Sequence, residues 1–265
     1  MRDSDPVSQS HLGIPTIVGE SWRRHAVRHL LLVLVLLASA PLQAQQPAVT
    51  SVVNAASYAA GAVVPGGVAT LFGTGIVSAS GIVSAATVPL PTTLGGIQVL
   101  VNNIPAPLFA VANVNRQEQI NFQVPWEVAG ANTATVIVVN GSASSAPRDY
   151  TVRAADPGLF TLDGASAVVV HGATNQPVTA TDPGEPGEAV VFYATGLGAV
   201  DRSQQSGQPA SLTELAKASN ALTVTIGGRE AAVQFAGLTP GSIGLYQVNC
   251  TVPADVSGEL EVQMT

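Results

Sequence analysis

Pro65-Gly66-Gly67-Val68-Ala69-Thr70-Leu71-Phe72-Gly73-Thr74-Gly75-Ile76 is the stretch that decides the fold, because the chain writes it twice. It returns as Pro186-Gly187-Glu188-Ala189-Val190-Val191-Phe192-Tyr193-Ala194-Thr195-Gly196-Leu197, displaced by 121 positions. A second stretch, Gln119-Ile120-Asn121-Phe122-Gln123-Val124-Pro125, returns as Gln247-Val248-Asn249-Cys250-Thr251-Val252-Pro253, displaced by 128. Self-similarity over such a distance marks a duplicated module. Each Pro-Gly turn leads into a run that is apolar on both sides, which predicts a central strand.

Outward from these anchors, both copies follow one plan. In the first, Val49–Val53 precedes the Pro-Gly strand and a small-residue loop from Ser78 to Pro91 follows it. Ile97, Val99 and Val101 then alternate with polar or smaller neighbours, and Asn102-Asn103 offers a two-residue turn that tolerates positive φ. Ala106, Leu108 and Ala110 return, then Ile120, Phe122 and Val124 alternate with Asn121 and Gln123. Ala134, Val136 and Val138 lead to Asn140-Gly141, a strong hairpin signal, and a last strand lies near Tyr150–Arg153. The second copy begins with an extra hairpin, Ala167–His171 and Pro177–Ala180, turning at Asn175. It repeats the plan through Val224/Ile226, Gly227-Gly228, Val233/Phe235, Val248/Cys250/Val252 and Leu260/Val262/Met264. Glu259, Glu261 and Gln263 fall on the wet face of that final strand. A short helix is expected at Leu212–Asn220. The pattern predicts an all-β chain of two tandem antiparallel β-sandwiches, residues 48–154 and 155–265. The displacement of 128 sets Thr265 against Ile137, so the second sandwich is expected to lack its last strand: either the chain is truncated or another segment fills the gap, and an open edge is expected near Leu260–Met264.

Composition narrows the function classes. Only 10% of residues are charged, well below the globular average of about 25%. Arg23, Arg24 and Arg28, the apolar run Leu30–Ala38, and Ala40-Pro41-Leu42-Gln43-Ala44 have the layout of a secretory signal peptide cut near Ala44. The apolar run falls short of the roughly 20 residues that span a bilayer. We therefore expect an exported chain, in periplasm, cell surface or medium, with no stable membrane insertion after cleavage. The mature part carries six basic and fourteen acidic side chains, a balance of −8. So few cations give no footprint for nucleic acid. The single cysteine, Cys250, excludes an internal disulfide and reads as a buried mid-strand hydrophobe in the place of Phe122.

The ordered motifs carry a resemblance. Asn54-Ala55-Ala56-Ser57-Tyr58, Phe72-Gly73-Thr74-Gly75, Leu94-Gly95-Gly96, Gln119–Val128, Pro157-Gly158-Leu159-Phe160, Tyr193–Gly198 and Phe235–Gly241 with Gly244–Asn249 resemble an uncharacterised C-terminal domain family of secreted acidobacterial proteins. The likeness covers nearly all of residues 49–265. Each copy is also similar to the IPT/TIG immunoglobulin-like domain. The resemblance implies an immunoglobulin-like fold and an exported, modular, non-catalytic protein, and it supplies no catalytic residues.

Candidate chemistry is sparse. His171 is the only histidine of the mature chain, so any triad or metal site would be built on it. Asp182, Glu185 and Glu188 lie in a turn-rich loop that could hold Ca²⁺, or be simply solvated. Gly73-Thr74-Gly75 and Gly196-Leu197-Gly198 lack the following Gly-Lys-Ser/Thr of a phosphate loop and read as strand-end turns. Trp126 is the candidate ligand residue. It could stack on a sugar or seal the seam between the copies. No catalytic residue and no cofactor is expected. The expected function is a secreted, non-catalytic immunoglobulin-like module for extracellular adhesion or protein–protein interaction, with an extracellular protein or glycan as partner. The alternative is a carbohydrate-binding module.

Overall fold

The computed structural model describes residues 46–265. The export signal read over residues 1–44 lies outside them. Period-two patterning with one greasy face yields strands almost everywhere it occurs. The first copy contains β1 (Ala48–Asn54), β2 (Ala62–Val63), β3 (Val68–Thr74), β4 (Gly81–Ser84), β5 (Ile97–Val101), β6 (Ile104–Pro105), β7 (Leu108–Val114), β8 (Gln117–Gln123), β9 (Thr133–Asn140), β10 (Ala143–Ser144) and β11 (Arg148–Val152). The second contains β12 (Gly158–Leu159), β13 (Val169–His171), β14 (Ala189–Thr195), β15 (Val224–Ile226), β16 (Arg229–Leu238), β17 (Tyr246–Thr251) and β18 (Val262–Met264). The chain is thus all-β and built of antiparallel sheets packed as a β-sandwich. The one parallel pairing among the described residues is β2 with β11.

In the first copy one sheet runs β1-β3-β8-β7-β4 and the other β2-β11-β9-β5-β6, with β10 on β9. Their inner faces enclose Val52, Leu71, Leu108, Ile120 and Phe122 from one side, and Val99, Val101, Val136, Val138 and Tyr150 from the other. The duplicated Pro-Gly strand β3 is central as expected, hydrogen-bonded between β1 and β8. In the second copy the strands run β12-β14-β17-β16-β15-β18, with β13 also on β14. Ten-residue β16 pairs with β15 at its start and with β17 beyond, and so does the work of both β6 and β7. A separate core gathers Phe192, Leu197, Leu238, Tyr246, Val248 and Cys250.

Equivalent positions pair alike on the two Pro-Gly strands. Asn54 of β1 lies opposite Ala69, and His171 of β13 lies opposite Val190, the same position displaced by 121. Where β1 is a single edge strand on β3, β12 and β13 share the equivalent edge of β14. The hairpin after β13 turns at Asn175, whose φ is +56°, and Val170 bridges Pro177.

Four expectations change. The loop from Ser78 to Pro91 contains β4, an exposed strand on β7. Leu212–Asn220 is not helical: the Thr213 and Glu214 N–H groups bond to the Ser211 hydroxyl, and Lys217 and Ala218 are held as bridges to Gly237 and Val200. The only helical piece among the described residues is a 3₁₀ turn at Trp126–Val128. The hairpin at Asn140-Gly141 turns on Gly141-Ser142, because Asn140 still pairs with Ala143. The offset for the last strand shortens by two. Val262 and Met264 face Ile226 and Val224 as Val136 and Val138 face Val101 and Val99. β18 closes the sheet path and pairs with β15 alone among the described residues. No helix among these residues is long and apolar enough to cross a membrane.

Candidate functional site

His171 and the acidic loop are apart in sequence, and the fold brings them together. β13 delivers the ring to the turn before β14, and the loop through Asp182–Glu188 folds back over it. Nδ1 lies 2.6 Å from Glu188 Oε1, and Nε2 lies 3.3 Å from the Asp182 carbonyl and 3.5 Å from its Oδ2. Glu188 Oε2 accepts the Glu185 N–H at 2.9 Å. His171 is 7% exposed.

The Glu188 hydrogen bond holds the imidazole above its ordinary value, with Asp182 adding to it against the cost of desolvation. The Glu185 N–H, and next the His171 ring, hold Glu188 below the usual carboxylate range. With acceptors at both nitrogens, the protonated ring can donate twice, and the pair ties the Asp182–Glu188 loop to β13.

The calcium candidates are not assembled. Glu188 is occupied by His171 and Glu185, and Glu185 contributes its backbone N–H. Among the described residues no group of three or more His, Cys, Asp or Glu is placed to hold a metal ion.

Trp126 sits where the copies meet. Pro125 ends β8 and the 3₁₀ turn swings the indole over Gly66. A Cβ at Gly66 would come 2.1 Å from the ring, and Gly66 has φ +77°. Only glycine satisfies both demands there. The partly buried indole also packs on the core of the second copy. Its backbone N–H donates to Ser206 Oγ at 2.8 Å, and Ser206 donates to Glu127 at 2.6 Å. Beside it opens a cleft of about 330 Å³ lined by Pro65, Trp126, Asn132, Arg153, Ala199 and Asn220.

The seam is otherwise made of polar groups that sequence reasoning missed. Thr195 Oγ1 accepts the Val68 N–H at 2.9 Å and donates to the Gly244 carbonyl at 2.8 Å. Gln123 accepts the Gly207 N–H at 2.7 Å and donates to the Gly66 carbonyl at 3.2 Å. Asn54 Nδ2 donates to the Asp156 carbonyl at 2.9 Å. Thr195 is 0% and Gln123 1% exposed. Both fall within strands whose alternation gives no warning of it. The signal was the Gly-Gly of the first copy: Gly67 approaches Gly196, and Gly244 approaches Gly66 and Val68.

The corresponding patch of the second copy is different. Gly187, the counterpart of Gly66, faces open space. Glu188 stands in place of Gly67 and His171 in place of Asn54. One location in the repeated fold therefore makes the seam in the first copy and the His171–Glu188 pair in the second. Glu118, also missed, accepts the N–H groups of Gly75, Ile76 and Val77 at 3.1, 2.6 and 2.9 Å and pins the turn after β3. No protein-family model matches the chain, and a search of curated proteins finds no significant match.

Proposed function

We propose that this chain is an exported, non-catalytic pair of immunoglobulin-like modules that acts in extracellular adhesion or protein–protein contact. The seam carries the reading. Two separate cores are joined by buried hydrogen bonds from Thr195, Gln123 and Asn54. Such a joint fixes the geometry between two sets of strand edges and loops, and preorganised surfaces lose less entropy when a partner docks. The layout of residues 1–44 supports export with cleavage near Ala44. The motif likeness to secreted acidobacterial C-terminal domains and to IPT/TIG domains supports the module type.

The test is fractionation of producing cells. Amino-terminal sequencing of the exported form should begin near Gln45, and the purified mature protein should bind the producing cells or their secreted proteins saturably. Retention in the cytosol with residues 1–44 intact would overturn the reading.

The second reading is a carbohydrate-binding module, favoured by the cleft beside Trp126. Reproducible glycan-array binding that Trp126→Ala removes would select it.

A further inference from the structure

We propose that β4 is a self-association edge: it pairs with the β4 of a second molecule of this chain, as an antiparallel ribbon whose two-fold axis passes at Val83. This goes beyond the module reading and does not depend on it.

The backbone leaves that edge free. The Ala85 N–H donates to the Phe109 carbonyl at 2.8 Å. By the antiparallel alternation Gly81 and Val83 also turn their polar groups toward β7. The N–H and C=O of Ile82 and Ser84 therefore point away from β7. Among the described residues no strand pairs with them.

The second copy shows the same edge covered. Ile82 faces Ala112, which faces Gln119. Lys217 faces Gly237, which faces Gln247, the repeat counterpart of Gln119. Lys217 thus holds the place of Ile82. Its carbonyl accepts the Asp201 N–H at 2.9 Å, and its N–H donates to the Asp201 carboxylate at 2.9 Å. Val200 bridges Ala218, the counterpart of Val83. The chain leaving β14 covers this edge in the second copy, and its equivalent in the first does not.

The side chains are the reverse of what solvent asks. Bare edges are commonly guarded by lysine or another charge. Here the lysine stands on the covered edge, while the bare one carries Ile82, 66% exposed, and Val83, 40% exposed. No charged side chain occurs from residue 46 to residue 115. A strand laid on this edge meets no opposite charge, so any charge it carried would lose water without gaining a partner. The edge therefore selects a neutral strand of small residues, and β4 is one. A second molecule brings it without bringing its acidic surplus.

The symmetric register fits. With the axis at Val83, Ile82 of each molecule lies opposite Ser84 of the other, and each such pair exchanges both backbone bonds. Val83 meets Val83 in the close, non-bonded position, on the face where Val111 enters the core. Such an isologous contact closes on itself. A ribbon this short falls below the roughly 1,200 Å² of a standard interface. The dimer is correspondingly weak, with a dissociation constant on the order of 0.1 mM.

Sedimentation of the purified mature protein between about 5 μM and 1 mM should show monomer passing to dimer. High salt should not weaken it, since no charge crosses the contact. Ile82→Lys gives this edge the residue found on the covered one. Ser84→Pro removes an outward N–H and keeps the bonds to β7. Each should weaken the dimer about tenfold or more, because symmetry doubles every loss, while far-UV circular dichroism stays unchanged. Val83→Cys reads the register. In the close pair the Cα atoms stand about 4.5 Å apart, within disulfide range, so mild oxidation should cross-link it much faster than Ile82→Cys. Cys250 is buried and does not compete. The proposal is overturned if the protein stays monomeric throughout that range, or if Ile82→Lys and Ser84→Pro dimerise like the parent. It is overturned equally if Ile82→Cys cross-links as fast as Val83→Cys. A monomer that binds a labelled, uncharged heptapeptide alternating Ser and Val also overturns it, because the occupant is then a foreign strand. Failure here leaves the module reading standing, since export and binding to producing cells test that separately.

Discussion

Replacing Thr195 by valine keeps the shape of a fully buried side chain and deletes one hydroxyl. That hydroxyl joins the two copies, taking the Val68 N–H from one and giving its proton to the Gly244 carbonyl of the other. Valine leaves both backbone groups without a partner. Each orphaned buried group costs about 1–3 kcal/mol, so Thr195→Val should destabilise by about 2–6 kcal/mol. For a unit of this size that lowers the melting midpoint by roughly 4–24 °C. The repeat provides the control. Thr74 occupies the equivalent position of β3 and is exposed, and Thr74→Val should stay within about 0.5 kcal/mol. Urea unfolding of the two variants gives the difference, and amide exchange locates it: the Val68 N–H should exchange faster in Thr195→Val. Equal stabilities for the two valine variants, with Val68 exchange unchanged, would refute the assignment of Thr195 as a bridge.

Three further outcomes follow from other sites. His171 has a raised pKa when folded, so its contribution is complete below the ordinary value of 6.5 and fades as pH rises through the folded value. Glu188 is lowered, so its contribution is complete above 4.5 and fades as pH falls. Unfolding measured across pH should therefore place the benefit of this pair between those two values, and His171→Gln should flatten that part of the profile. Gly66→Ala meets both a positive φ and the Trp126 ring, and should cost about 2–5 kcal/mol by urea unfolding; Gly187→Ala meets the same φ in open space and should cost less. Burial pushes the Cys250 thiol up to about 11. An aromatic disulfide reagent at pH 8 should leave it unmodified in the native protein and label it fully in denaturant.

Much of the architecture was legible because burial on one face imposes a period on the sequence. The strand positions of β5, β8, β9 and β17 follow from alternation alone, and those of β3 and β14 from runs apolar on both sides after each Pro-Gly turn. The turns at Asn102-Asn103 and Gly227-Gly228 follow from residues that accept positive φ. The site was less legible. Gln123 looked like an ordinary wet-face residue because alternation separates two faces without saying what covers the second. His171 looked solitary because 17 residues of chain separate it from Glu188, and only the β13 hairpin closes that distance.

The sequence by itself determined that two stretches recur, that the chain forms antiparallel strands, and where most of the turns fall. These depend on local propensity and on periods of a few residues, which a string of letters records directly. Only the tertiary structure decided which of two equivalent Pro-Gly corners would become a seam. Gly66 admits the Trp126 ring and Gly67 the backbone of the other copy at Gly196, whereas Gly187 and Glu188 face solvent and a histidine. That choice depends on contacts between residues more than a hundred positions apart, where close approach of two backbones leaves room for no side chain.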